Sequence, residues 1–97
     1  MIDESETTIV REGPGLLASD GSIYEGNWQN GIMNGQGNAF FSDGNIFSGS
    51  WELGYRQGFG TLFFYNGDIY EGFFKDNFFD GIGTLTWING NFYDGSW

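Results

Sequence analysis

Four aromatic–glycine–aromatic units begin at Tyr24 (YEGNW), Phe47 (FSGSW), Tyr70 (YEGFF) and Tyr93 (YDGSW), each 23 residues after the one before. The glycine pairs Gly35/Gly37, Gly58/Gly60 and Gly81/Gly83 keep the same step, and so do Gly21, Gly44, Gly67 and Gly90. A period this strict marks an architectural repeat, in which each unit buries its apolar side only by stacking on its neighbours. The 18 glycines of the 97-residue chain therefore hold assigned places and are not low-complexity filler. The aromatic content of 21% is far above that of a disordered, solvating sequence. The length allows one domain. Upstream, GPGLLASDG at Gly13 reads as a degenerate copy, one residue short between its glycine pair and its turn. The expected organisation is a flexible acidic segment over 1–12 and a repeat domain over 13–97. That domain divides into a degenerate copy (13–23), three full repeats (24–46, 47–69, 70–92) and a partial one (93–97).

Within a unit the local signals are those of strands. Tyr24, Gly26 and Trp28 alternate and share one strand face, as do Gly37, Ala39 and Phe41 on the next strand. No helical period of 3.6 occurs. SDGN, YNGD and INGN carry Asp-Gly or Asn-Gly, the dipeptides of two-residue hairpin turns. The stretches QNGIMNG, ELGYRQG and KDNFFDG read as longer loops. Asn77 stands where the other repeats have Gly31 and Gly54; Asn is the next most tolerant residue of a left-handed backbone, which points to a backbone role there. Seven short strands are expected, over 23–28, 37–41, 46–51, 60–65, 69–74, 83–88 and 92–97. Short connections throughout make them an antiparallel meander.

This pattern resembles the MORN repeat (membrane occupation and recognition nexus). Tyr24, Gly26, Trp28, Gly31, Gly35, Gly37 and Gly44 match the family's pattern without a gap. The copy from Phe47 to Gly67 matches with Phe for Tyr, the copy from Tyr70 to Gly90 matches except at Asn77, and Tyr93 to Trp97 opens another. The resemblance implies an all-β fold: a single-layer, elongated, twisted antiparallel β-meander built from 23-residue β-hairpin repeats. It also implies a non-catalytic scaffold for cytoskeletal, axonemal (ciliary), junctional or signalling assemblies. Lipid binding, claimed for some members, is the alternative.

Charge bears on that alternative. The net charge is −10, with Arg11, Arg56 and Lys75 the only cations. Nucleic acid and anionic lipid both need clustered Lys and Arg, so neither is an expected partner. The turn segments QNGIMNG, ELGYRQG and KDNFFDG hold two basic residues where many members of the family carry Lys and His, which further disfavours a phosphoinositide-binding module. With no Cys or His, nitrogen or sulfur metal ligation and a disulfide framework are excluded. DNFFDG at Asp76 lacks the spacing of a calcium loop. No helix follows the Gly-x-Gly pairs to cradle a phosphate, and no cofactor or catalytic residue is expected. MIDESETTIV lacks the basic start and apolar run of a signal peptide, so a cytoplasmic, cytoskeletal or ciliary location is expected. That also counts against a third reading, an extracellular glycan- or choline-binding aromatic repeat.

Two faces are candidate partner sites. The first carries Tyr24, Trp28, Phe47, Trp51, Tyr70, Phe74 and Tyr93 from the leading strands, with Leu62, Phe64, Leu85 and Trp87 from the returning ones. These rings pack on one another and on the glycines. In a one-layer sheet their outer side also stays open as a groove for a partner's helix or extended segment. The opposite face carries Ile23, Ile46, Ile69 and Phe92, joined by Phe40 and Phe63, and by Phe73 and Ile88. A solvated sheet face is normally polar, so this apolar set reads as a second contact surface. The scattered acids Glu25, Glu52, Asp68, Glu71, Asp76, Asp80 and Asp94 read as a solvated surface. Unpaired edge strands leave a homodimer open as well.

Overall fold

Why a chain so rich in glycine forms a regular sheet is answered by the register of its strands. The computed structural model describes residues 16–17 and 21–97. The 1–12 segment and the Gly13 glycine pair lie outside them. Eight strands follow one another: β1 (Leu16–Leu17), β2 (Ile23–Gln29), β3 (Ile32–Phe40), β4 (Ile46–Glu52), β5 (Tyr55–Phe63), β6 (Ile69–Lys75), β7 (Phe78–Thr86) and β8 (Phe92–Ser96). Each pairs antiparallel with the next, in the order β1 to β8, as one open meander measuring 49 × 23 × 16 Å. β1 pairs through Leu16 with Tyr24 and Leu17 with Ile23, the places that Ala39 and Phe40 take against Phe47 and Ile46 one repeat later. The degenerate copy therefore keeps the repeat's register at these two residues.

Each repeat's two connections differ from the sequence reading, and the difference has one cause. The segments QNGIMNG, ELGYRQG and KDNFFDG are not loops. Pairing continues to Gln29↔Ile32, Glu52↔Tyr55 and Lys75↔Phe78, so β3, β5 and β7 start five residues earlier than expected. The reversals are two-residue turns at Asn30-Gly31, Leu53-Gly54 and Asp76-Asn77, with positive φ at all six residues. That is the primed turn whose twist suits a hairpin. The turns expected to be of that kind are instead three-residue loops. Phe41 N–H donates to Asn45 O at 2.9 Å, Gly44 N–H donates to Phe41 O at 3.0 Å, and Gly44 alone is left-handed (φ 96°). This is a type I turn closed by a left-handed glycine. Ile88 belongs to such a loop, where it covers Gly67, and not to the opposite sheet face.

The two glycines of each Gly-x-Gly pair do different work. The first (Gly35, Gly58, Gly81) has φ between 80° and 107° and sits where register shifts in the hairpin, so it shapes a bulge. The second belongs to an unbroken row, Gly26↔Gly37↔Gly49↔Gly60↔Gly72↔Gly83↔Gly95, that crosses seven strands. Aromatic rings lie across this trough. A Cβ on Gly60 would run into the Phe47 ring and one on Gly83 into the Tyr70 ring. Phe47 and Tyr70 are fully buried as a result. Trp51 and Trp97 anchor their indoles on the same row, donating from Nε1 to Gly37 O (3.0 Å) and Gly83 O (3.1 Å).

Side-chain ladders tie the turns of one repeat to the next. Ser22 Oγ, Asn45 Oδ1 and Asp68 Oδ1 accept from the amides of Ser42, Tyr65 and Ile88. At the other end of the hairpins, Asn34 Oδ1 and Gln57 Oε1 accept from the amides of Leu53 and Asp76. The 23-residue period is thus written into polar side chains as well as rings.

Candidate functional site

The inner face, that of the glycine row, holds the core: Met33, Ala39, Phe47, Trp51, Leu62, Tyr70 and Phe74, with Tyr24, Trp28, Phe41, Phe64, Phe79 and Leu85 partly buried against them. The rings form one lattice of edge-to-face contacts. Phe47 meets Trp51 at 5.3 Å and Phe74 at 5.0 Å, and Tyr24 meets Trp51 at 6.2 Å. Tyr70 stacks flat on Phe79 at 3.8 Å. Such pairs add roughly 0.5–1.5 kcal/mol each beyond the area they bury. Burial pushes the Tyr70 phenol above its ordinary pKa, with the Asp80 carboxylate adding to the rise. Tyr70 Oη donates to Phe73 O at 2.8 Å.

Register or packing places ten of the eleven residues expected on this face on it, Trp87 lying just past the end of β7, and they do not share one fate. Phe47, Trp51, Leu62, Tyr70 and Phe74 are core, while Tyr24, Trp28, Phe64 and Leu85 keep one side open, and Trp87 and Tyr93 are exposed. The open part is a pocket of about 300 Å³ lined by Tyr24, Trp28, Ile32, Met33, Phe41, Trp51, Arg56 and Asn77.

The sequence reading counted Arg56 only as a turn cation and did not place it, or Met33, Phe79 and Trp97, on this face. Met33, Arg56 and Phe79 occupy one repeat position, 23 residues apart. The signal was therefore present as a cation in an apolar column. It was hidden by reading that segment as a loop. The Arg56 guanidinium lies 5.5–5.6 Å from the centres of the Phe41, Phe47 and Phe74 rings. Its Nε and Nη2 donate to Asn77 Oδ1 (3.3 Å) and Asn77 O (3.0 Å). Burial pushes its pKa down from the ordinary value, with Tyr24 opposing the shift. Asn77 has the left-handed backbone read from its sequence position (φ 76°), and its side chain has a second role as the acceptor that orients Arg56.

On the opposite face the strands bring the expected residues other than Ile88 to one side of the sheet. Register places Ile23, Phe40, Ile46, Phe63, Ile69, Thr86 and Phe92 in one row across the sheet. The apolar members are 37–64% exposed. A polar row runs beside it, Glu25, Asn38, Ser48, Thr61, Glu71, Thr84 and Asp94, with Thr84 Oγ1 donating to Asp94 Oδ1 at 2.8 Å. Beyond it Phe73 meets Phe59 edge-on at 5.5 Å. The face is therefore an apolar stripe and an aromatic pair separated by a polar row, not a continuous apolar sheet.

The family model of the MORN repeat matches residues 24–46, 47–69 and 70–92, more than two thirds of the chain. The chain belongs to the MORN repeat family. Its three matched copies coincide with the repeats that register defines, β2–β3, β4–β5 and β6–β7 with their loops. No curated protein matches the chain. MORN repeats are in general non-enzymatic modules of binding or membrane association. Among the described residues, no group of three His, Cys, Asp or Glu side chains is placed to hold a metal ion, and no helix is long and apolar enough to cross a membrane.

Proposed function

We propose that this MORN sheet is a non-catalytic interaction scaffold that holds a protein partner on its inner, aromatic face. The observation that supports the reading is the open pocket. Tyr24, Trp28 and Phe41 present ring surface to solvent there, on a base made rigid by buried Phe47 and Trp51. Large rings with few rotatable bonds, already fixed, bind with little ordering cost. A helix or an extended segment of the partner fits this open aromatic face, whose partly buried side chains continue along the sheet to Phe79 and Leu85. The opposite stripe through Ile46, Phe63 and Ile69 is the second contact surface. The setting proposed is a cytoplasmic assembly, cytoskeletal or axonemal, which rests on the family resemblance and the character of the chain.

A membrane-surface role is the competing reading, and the −10 charge argues against it for anionic lipid. The test is photo-crosslinking in native lysate, with benzoyl-phenylalanine placed at Phe41 on the inner face or at Phe63 on the opposite one. A discrete protein adduct from the Phe41 site, lost on Trp28→Ala, supports the reading. Adducts from neither site, together with co-sedimentation on anionic vesicles, would replace it with lipid binding.

A further inference from the structure

The three cations of this chain are far too few to balance its acids, yet one of them is spent inside the aromatic face. Its repeat equivalents, Met33 and Phe79, show that the position needs no charge to fold. Of the five guanidinium N–H donors, Nε and one on Nη2 serve Asn77. Among the described residues the others have no protein acceptor, and no carboxylate lines the pocket. Phe41, Phe47 and Phe74 hold the plane of the charge in place, and Asn77 fixes its rotation. This is a pre-oriented fork with an unused side, walled by Tyr24, Trp28, Phe41 and Trp51.

We infer that Arg56 and its pocket form a subsite for a carboxylate carried by an apolar stretch of the partner chain: an Asp or Glu side chain flanked by bulky apolar residues. The inference rests on the inner-face reading above and gives that face its specificity. A guanidinium recognises carboxylate and phosphate alike through paired hydrogen bonds. The surroundings choose between them. A dianion would enter the field of a strongly acidic protein to meet a single cation, whereas a monoanion is neutralised by it. An internal side chain is favoured over a chain end because the aromatic face continues beyond the pocket to Phe79 and Leu85. Apolar flanks suit the rings, and their burial around the ion pair strengthens it by lowering the local dielectric.

The test uses the whole chain and three blocked peptides, acetyl-Leu-Glu-Phe-amide, its Gln counterpart and its phosphoserine counterpart, followed by the fluorescence of the pocket tryptophans and the NMR resonance of Arg56 Nε–H. The Glu peptide is expected to bind about tenfold or more tightly than the Gln peptide. Only the Glu peptide should move the Arg56 resonance. Arg56→Met, which installs the residue of the first repeat, should erase the preference while leaving Gln-peptide binding intact. Arg56→Lys should keep a smaller part of it. Equal binding of Glu and Gln peptides, a preference that survives Arg56→Met, or tighter binding of the phosphoserine peptide would each overturn the carboxylate subsite and leave the inner-face reading standing. Binding of none of the three would overturn both.

Discussion

Replacing Gly60 by Ala tests how the sheet earns its core. Gly60 has no left-handed backbone, so Ala costs nothing in φ there. The cost is space: the new methyl would occupy the place of the Phe47 ring edge, and it also comes within 3.2 Å of Ser48 O. Phe47 is fully buried and is wedged between Trp51 and Phe74, at 5.3 and 5.0 Å. If the ring shifts while staying inside, the cost is that of overpacking, about 1–3 kcal/mol. If the ring is expelled, the loss approaches that of deleting it, about 3–5 kcal/mol. The control is Gly90→Ala, where nothing lies within 4 Å but φ is 93°. There only backbone strain acts, about 1–2 kcal/mol. Urea unfolding followed by tryptophan fluorescence reads both. Gly60→Ala should lose more than Gly90→Ala, and Phe47→Leu should recover part of the loss, with a coupling of about 1 kcal/mol or more. A Gly60→Ala protein as stable as wild type, or losses that simply add in the double variant, would refute the claim that the glycine row exists to seat rings.

Three further outcomes follow from single sites. Leu53 is 70% exposed and left-handed (φ 53°) at the turn position held by Asn30 and Asp76 in the other repeats. Leu53→Asn should stabilise by about 1 kcal/mol, seen as a higher urea midpoint at unchanged slope. Arg56→Met removes a desolvated cation from among rings, so its melting temperature should equal or exceed that of the wild type, and a large drop would mean the charge is structural. Tyr70 has a raised pKa in the folded state. Its contribution is therefore complete below the unfolded value near about pH 10 and is lost as pH rises through the folded one. Tyr70→Phe should weaken the protein by about 1 kcal/mol at neutral pH, through the lost bond to Phe73 O, and should flatten the alkaline limb of a stability–pH curve.

Much of this was legible because a repeat shows its frame in every copy. The step of 23 gives the strand order, the faces of Tyr24 to Tyr93 and the opposite stripe from Ile23 to Phe92 directly. Less legible was which turn closes which hairpin. Asp43-Gly44 and Asn66-Gly67 carry two-residue turn dipeptides yet sit in three-residue loops. Leu53-Gly54, with no such signature in its first residue, forms the primed turn. Local propensity is weak there, and the Leu53 and Asp76 turn amides are held by donating across repeats to Asn34 and Gln57. The bulges at Gly35, Gly58 and Gly81 then restore pairing beyond the point where alternation breaks, and that return brings Met33, Arg56 and Phe79 to the inner face. The pocket's cation was missed for that reason alone.

The most direct test of the docking surface is the adduct formed by a photo-crosslinker at Phe41, mapped to the residue in the captured partner. The account predicts an apolar segment that carries an Asp or Glu between bulky apolar residues, crosslinked near that carboxylate, with the yield falling for Arg56→Met and vanishing for Trp28→Ala. A protein adduct that forms only from Phe63 on the opposite face, untouched by either substitution, would contradict it.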